Sequence, residues 1–275
     1  MTNTDTTAAP PSDLNAGIVR SFFWMEADAY LHVPVAIFWT FIYPIMLFFI
    51  LNLIFGGGDS PTGAHLSYAD YLISGLVVMT LISTSLFSFM VVLVEQRANG
   101  NLRVFNLMPF GKCSFFLGFI TARLLILLIF CAVFTLGFSH LASAPGGTGI
   151  GLGRLGGFMV YVAAGSLVLL GLSLVLAALI DRTATAHAVA NIVNIPVIFL
   201  SDLFLPVAIL PPGMRAVVEL SPIYRFVSDA RDLYAGTQTL LDTAPAIGVM
   251  VVIGAALIWF ATAKFNWSLA NGSPK

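Results

Sequence analysis

"VVLVEQRANGNLRVFNLMPFGKCSFF", residues 91–116, sets Glu95, Arg97, Arg103 and Lys112 between two long apolar runs. Only 9% of the 275 residues are charged, so four charges in one stretch mark a place where the chain leaves oil for water. Hydrophobic residues make up 59% of the chain and its mean hydropathy is +0.96. A soluble domain carries roughly 45–50% apolar residues. The remaining polar residues are too few to cover a core of this size, and the composition points to an integral membrane protein.

A bilayer core about 30 Å thick needs about 20 helical residues at roughly 1.5 Å each. Apolar runs of that kind lie near 33–55, 71–94, 115–139, 155–180, 186–205 and 244–263, which predicts six spans. The fifth carries Pro196 in its middle and Asp202 near its end, so it is expected to be short or bent. Residues 1–13 hold Asp5 and Asp13 and no Lys or Arg before the first apolar segment, unlike a signal peptide, and read as disordered. Residues 266–275 read as a C-terminal tail. Cys113 and Cys131, eighteen positions apart on one helix, are too distant to pair.

An even number of spans puts both termini on one side. Eight of the twelve Lys and Arg residues then share that side: Arg20, Arg97, Arg103, Lys112, Arg123, Arg182, Lys264 and Lys275. Arg154, Arg215, Arg225 and Arg231 fall on the other. This bias predicts cytoplasmic termini and a cytoplasmic loop at 95–112.

Two segments are patterned but do not span. Residues 14–31 place Leu14, Ile18, Phe22, Met25 and Ala29 on one stripe, with Arg20, Glu26 and Asp28 elsewhere, as an amphipathic helix in the interface would. Trp24 and Tyr30 suit the headgroup level. Pro34 separates this helix from the first span. Residues 205–236 predict two short helices. One runs from about Pro212 to Leu220, with Met214, Val217 and Val218 on its apolar face and Arg215 and Glu219 paired four residues apart. The other is capped by Ser221, opened by Pro222 and ended near Gly236. Its stripe is Ile223, Phe226, Val227, Ala230 and Leu233, with Arg225, Asp229 and Asp232 facing water. Two short helices with oily faces are expected to re-enter the outer leaflet.

Catalytic chemistry finds little support. Asp181, Arg182 and His187 cluster between spans four and five, which a solvated turn explains as well as an acid–base site does. His187, Asn191 and Asn194 form a polar stripe on span five, suited to contact with another helix or to a water-filled path. Thr80, Ser83, Thr84, Ser85 and Ser88 soften span two, and with Phe38, Tyr43, Phe87 and Phe199 they fit the lining of an amphiphile path. No Asp, Glu, Lys or Arg is expected at mid-membrane, as ion coupling would need. A P-loop is missing, since Gly111 and Lys112 are followed by Cys113 and Asn106 stands where the upstream glycine belongs. No metal site, catalytic residue or nucleic-acid partner is expected.

The stretch "EQRANGNLRVFNLMP" resembles the E-x-x-x-x-G-x-L-x-x-L/F-x-x-x-P element of ABC-2 type transporter permeases, with Glu95, Gly100, Leu102, Phe105 and Pro109 at the matching positions. "LPVAILPPGMRAVVELSPIYRFVSDARDLYAG" resembles that family's paired extracellular helices before the last span, with Pro211, Pro222 and Arg231 matching. Asn101 departs from the family's common Thr after the glycine. The resemblance implies an all-α membrane domain over residues 32–265, with a coupling helix at about 95–109 and re-entrant helices at about 212–236. It also implies a second permease copy and separate ATP-binding subunits holding ATP and Mg, so that no cofactor belongs to this chain. Glu95, Arg97 and Arg103 would then make the polar contacts to the ATPase. The helix at 14–31, with Arg20, Trp24 and Glu26, would be a second contact. Tyr43, Thr84, Phe87, Asn191 and Asn194 would line the path, and Pro211, Pro222, Arg225 and Arg231 would form the outer gate. The chain would sit in a bacterial inner membrane and export a lipophilic compound or a lipid. "FWTFIYP" in span one also resembles the W-x-x-x-x-P of polysaccharide exporters, which keeps a lipid-linked glycan open. A scaffold or embedded enzyme using His187 and Asp181 is the non-transport alternative.

Overall fold

The computed structural model describes residues 17, 20–21, 23–28, 30, 32, 37–55, 67–102, 112–142, 150–204, 207 and 211–265. The described residues between 17 and 30 are helical. A π-helical turn, Phe38–Ile42, leads into α1 (Tyr43–Phe55). Next comes α2 (Tyr68–Ser83), which continues without a break through a π-helical stretch, Thr84–Val91, into α3 (Val92–Ala98). Then follow α4 (Lys112–Ala142), α5 (Leu152–Leu179), α6 (Thr183–Leu200), α7 (Pro212–Glu219), α8 (Pro222–Ala235) and α9 (Leu240–Lys264). Helix is the only regular structure among the described residues.

Among the described residues four helices are long and apolar enough to cross a membrane: Tyr68–Ala98, Ser114–Leu141, Leu152–Leu179 and Leu240–Lys264. These match the second, third, fourth and sixth expected spans. The first and fifth correspond to shorter apolar helices, Thr40–Phe55 and Thr183–Ile198. Pro196 lies inside α6, and the chain leaves the helix at Ser201, so the shortening expected of the fifth is present. The terminal segments 1–13 and 266–275 lie outside the described residues.

The span 68–98 is the axis of the fold. Leu72, Ile73, Leu76, Val77 and Val78 are sealed on every side, because α1, α4, α5, α6 and α8 all pack around it. By contrast α9 touches mainly α5, where Gly171 and Gly254 let the two backbones approach closely. The rest of α9 turns Leu241, Val252 and Trp259 outward. An apolar outer surface of this kind is stable where the solvent is lipid. Phenylalanines interlock α1 and α4: Phe41 meets Phe130 edge-on at 4.9 Å, and Phe48 meets Phe138 at 4.6 Å.

The caps of α8 stand where local chemistry puts them. Ser221 accepts a bond from the Ile223 amide, Pro222 opens the helix, and Gly236 closes it at φ 79. Arg215 and Glu219 pair at 2.7 Å along α7. Val218 is buried as expected, but Val217 is 69% exposed, so the apolar face of α7 is only half covered.

Candidate functional site: two polar ends of a central span

The antiparallel run of helices brings the ends of α3, α5 and α9 together. At this end Gly100 adopts φ 78 immediately after α3, and Asn99 and Gly100 return their amides to Glu95 and Arg97. The glycine of the sequence element is thus a helix stop in the left-handed conformation glycine tolerates best. Leu102 beyond it is fully buried. Arg103, Phe105 and Pro109 lie outside the described residues.

Arg97 does not project outward as a docking residue would. It is 2% exposed, donates to the Ile180 carbonyl, pairs with Asp181 at 3.1 Å and lies 5.4 Å from the Phe265 ring. Phe265 in turn meets Phe116 at 4.9 Å. One guanidinium therefore ties the span 68–98 to the α5–α6 turn and the end of α9, because its fork of donors can satisfy a carbonyl and a carboxylate together. Glu95 remains partly exposed at 44% and faces His187 at 3.4 Å. The expected Asp181–His187 grouping is dissolved: each partners a different residue of the span. His187, Asn191 and Asn194 do share a stripe, and Asn194 accepts from Ser83 at 3.1 Å. Asn194 fastens α6 to α2 and His187 meets α3, while Asn191 donates back to the His187 carbonyl within α6. Among the expected path residues, Thr84 and Asn194 are buried close to this contact, Phe87 and Tyr43 are half-buried, and Asn191 is exposed.

The N-terminal helix is anchored nearby in a way the stripe did not foresee. Glu26, expected off the apolar stripe and as part of a second contact to the ATPase, is 2% exposed and pairs with Arg123, itself 4% exposed, at 2.5 Å. Arg123, counted among the cytoplasmic-side charges, stands about three turns into α4. Its guanidinium lies over the Tyr30 ring at 4.2 Å, and the Tyr30 hydroxyl contacts Thr40. Burial pushes the Glu26 carboxyl above its ordinary range, with Arg123 pulling the other way. Arg20 and Trp24 remain exposed.

At the opposite end of the span, α8 and the segment leaving α6 meet α2. Asp202 takes φ 59, rare for a residue other than glycine. Its carboxylate accepts from the Val207 amide at 2.7 Å and the Tyr71 hydroxyl at 3.0 Å, and pairs with Arg231. Arg231 also donates to the Asp202 carbonyl at 2.7 Å and stacks over the Tyr71 ring at 3.7 Å. Of the expected gate residues, Pro222 and Arg225 face outward and Pro211 caps α7, whereas Arg231 is buried. Asp229, expected in water, is half-buried and accepts from the Tyr161 hydroxyl at 3.0 Å, while Tyr234 donates to Asp70 at 2.8 Å. Tyr71, Asp202, Asp70 and Tyr161 were missed; the isolated Asp202 at the end of an apolar run was their one visible signal.

These features define a multi-pass helical membrane protein whose longest polar contacts gather at the two ends of one buried span. The family model for "ABC-2 family transporter protein" matches residues 58–263, and the chain belongs to that family. It is also 22% identical over 238 residues to a protein of Streptomyces coeruleorubidus named as a daunorubicin resistance ABC transporter permease, a match covering 86% of this chain and 80% of the relative. The chain is therefore a membrane subunit of an ABC transporter, a class that associates with ATP-binding subunits.

Proposed function

We propose that the chain is half of the membrane domain of an ATP-driven exporter moving a lipophilic or amphiphilic compound out of the cytoplasm or inner leaflet of a bacterial inner membrane. Six crossings, the two short apolar helices 40–55 and 183–198 included, leave both termini cytoplasmic. Two such subunits enclose the path, with Tyr43, Thr84, Phe87, Asn191 and Asn194 as its lining and α7 and α8 re-entering the outer leaflet. ATP and Mg belong to two separate ATPase subunits.

The observation that carries this reading is the family match over residues 58–263 together with the polar end built around Glu95 and Arg97. Glu95, Arg103 and the exposed face of the N-terminal helix meet the ATPase; Arg97 acts behind them as the residue that fixes the elbow's position. Push on that elbow reaches α5, α6 and α9 through the Arg97 contacts. The drug-resistance relative favours a small lipophilic substrate over a lipid-linked glycan.

Purification of the tagged chain from native membranes in mild detergent tests the partner. An ATPase subunit is expected to accompany it, and its consistent absence overturns the exporter reading. Inside-out vesicles holding the complex should accumulate daunorubicin with ATP and not with ADP. Accumulation of a fluorescent undecaprenyl-linked sugar instead would move the substrate to the glycan class.

A further inference from the structure

The polar end around Asp202 holds more than is needed to fasten a helix. Asp202 and Arg231 are only 11% and 10% exposed, and removing two charges from water costs more than packing apolar side chains in their place. The best-attested use of such a pair is to set register or to act as a switch. Asp202 is also held in a left-handed backbone conformation, a strain that persists only where surrounding contacts impose it. The segment it belongs to is pressed into α2: the Leu203 carbonyl occupies the place where a Cβ of Gly75 would be. Tyr71, Ser74 and Gly75 form one face of α2, so a single patch of the central span receives both the segment leaving α6 and α8.

The remaining polar ties of α8 are of a different kind. Tyr234 reaches Asp70 in the first turn of α2, and Asp229 is reached from Tyr161 on α5. Each joins α8 to one helix, whereas Arg231 alone joins it to two elements at once. If Arg231 releases Asp202, α8 keeps its footing at Tyr234 and Asp229, while the segment 201–204 loses its tie to α8 and is left on α2 with the Tyr71 hydroxyl and the Leu203 packing. A mostly apolar cleft of about 200 Å³ lies beside that segment, lined by Pro196, Val197, Ser201, Val217, Val218 and Ile223. It lies between the end of α6 and the helices α7 and α8.

We propose that Arg231 and Asp202 are the positioning pair of the outer gate: they latch α8 and the segment 201–204 onto the central span, and the latch opens during the ATP-driven cycle. The inference rests on the exporter reading, and the experiment separates the two.

Ser201, 2% exposed beside the cleft, serves as reporter. In a chain with Cys113 and Cys131 replaced by alanine, Ser201→Cys is treated with a charged maleimide. With its co-purified ATPase, labelling is expected to rise at least tenfold in ATP over ADP. In the isolated chain, Asp202→Asn with Arg231→Met, which removes both charges and strands neither, should raise labelling at least tenfold without nucleotide. That double variant in the complex should label equally in ATP and ADP. Asp202→Glu, which keeps the charge, should restore part of the ATP dependence. If the isolated double variant labels like its parent, the latch is overturned whether or not an ATPase is bound. An ATPase that co-purifies while labelling ignores ATP overturns the latch and leaves the exporter reading standing. Absence of any ATPase overturns that reading and with it the gating role.

Discussion

Two arginine–glutamate pairs in this molecule have nearly the same length and opposite surroundings. Arg123–Glu26 measures 2.5 Å with both side chains buried, and Arg215–Glu219 measures 2.7 Å with both about half exposed. The first joins the N-terminal helix to α4, far apart in sequence; the second lies along one turn of α7. Coulomb attraction at equal separation is much weaker in water than in a protein interior, but burial also charges each ion for its lost hydration. Burial therefore decides which pair matters, and distance does not.

The largest effect should come from breaking the sealed pair on one side. Arg123→Leu strands a buried carboxylate and is expected to cost about 3–5 kcal/mol in denaturant unfolding of the detergent-solubilised protein. Glu26→Gln should cost less, because its amide oxygen can still accept from the Arg123 guanidinium. The sign with pH follows from the same raised value. The folded state holds the Glu26 proton more tightly than the unfolded chain, whose value is near 4.5, so stability falls as pH climbs from there through the raised value. That slope should vanish in Glu26→Gln, and a slope unchanged by the substitution would remove Glu26 as its source.

Next in size is an asymmetric pair. Arg97 is buried and Asp181 is 74% exposed. Arg97→Ala loses a charged bond to the Ile180 carbonyl and should cost about 1.5–3 kcal/mol, while Asp181→Ala should stay under about 1 kcal/mol. Equal losses would mean that the carboxylate, and not the carbonyl, holds the elbow. Gly75→Ala drives a methyl into the Leu203 carbonyl and should cost about 1–3 kcal/mol by the same unfolding measurement. The smallest change belongs to the exposed pair: Arg215→Ala is expected to unfold at the same denaturant midpoint as the parent. A lower midpoint there would end the contrast drawn above.

Much of the fold was legible from residues near one another in the chain. The bounds of α8 followed from Ser221, Pro222 and Gly236, each acting within a turn of its own position. A short α6 was expected from Pro196 and Asp202, and the helix ends at Leu200, between them. The site was less legible. The 14–31 stripe misplaced Glu26 because periodicity reports which residues share a face, and not whether a buried arginine waits on the polar one. Arg97 was read as a docking charge because a sequence cannot show that Ile180 and Asp181 fold back against it.

Composition and local pattern by themselves settled that this chain is helical, that it lives in a bilayer, where polar turns interrupt it, and which family it resembles. Those are properties of apolar content and of signals acting over a few residues. Which charges are sealed, which stay wet, and that Asp202, Tyr71 and Arg231 meet were decided only by the packed helices. Asp202 and Arg231 lie 29 positions apart, Tyr71 and Asp202 lie 131 apart, and only folding brings such groups into contact.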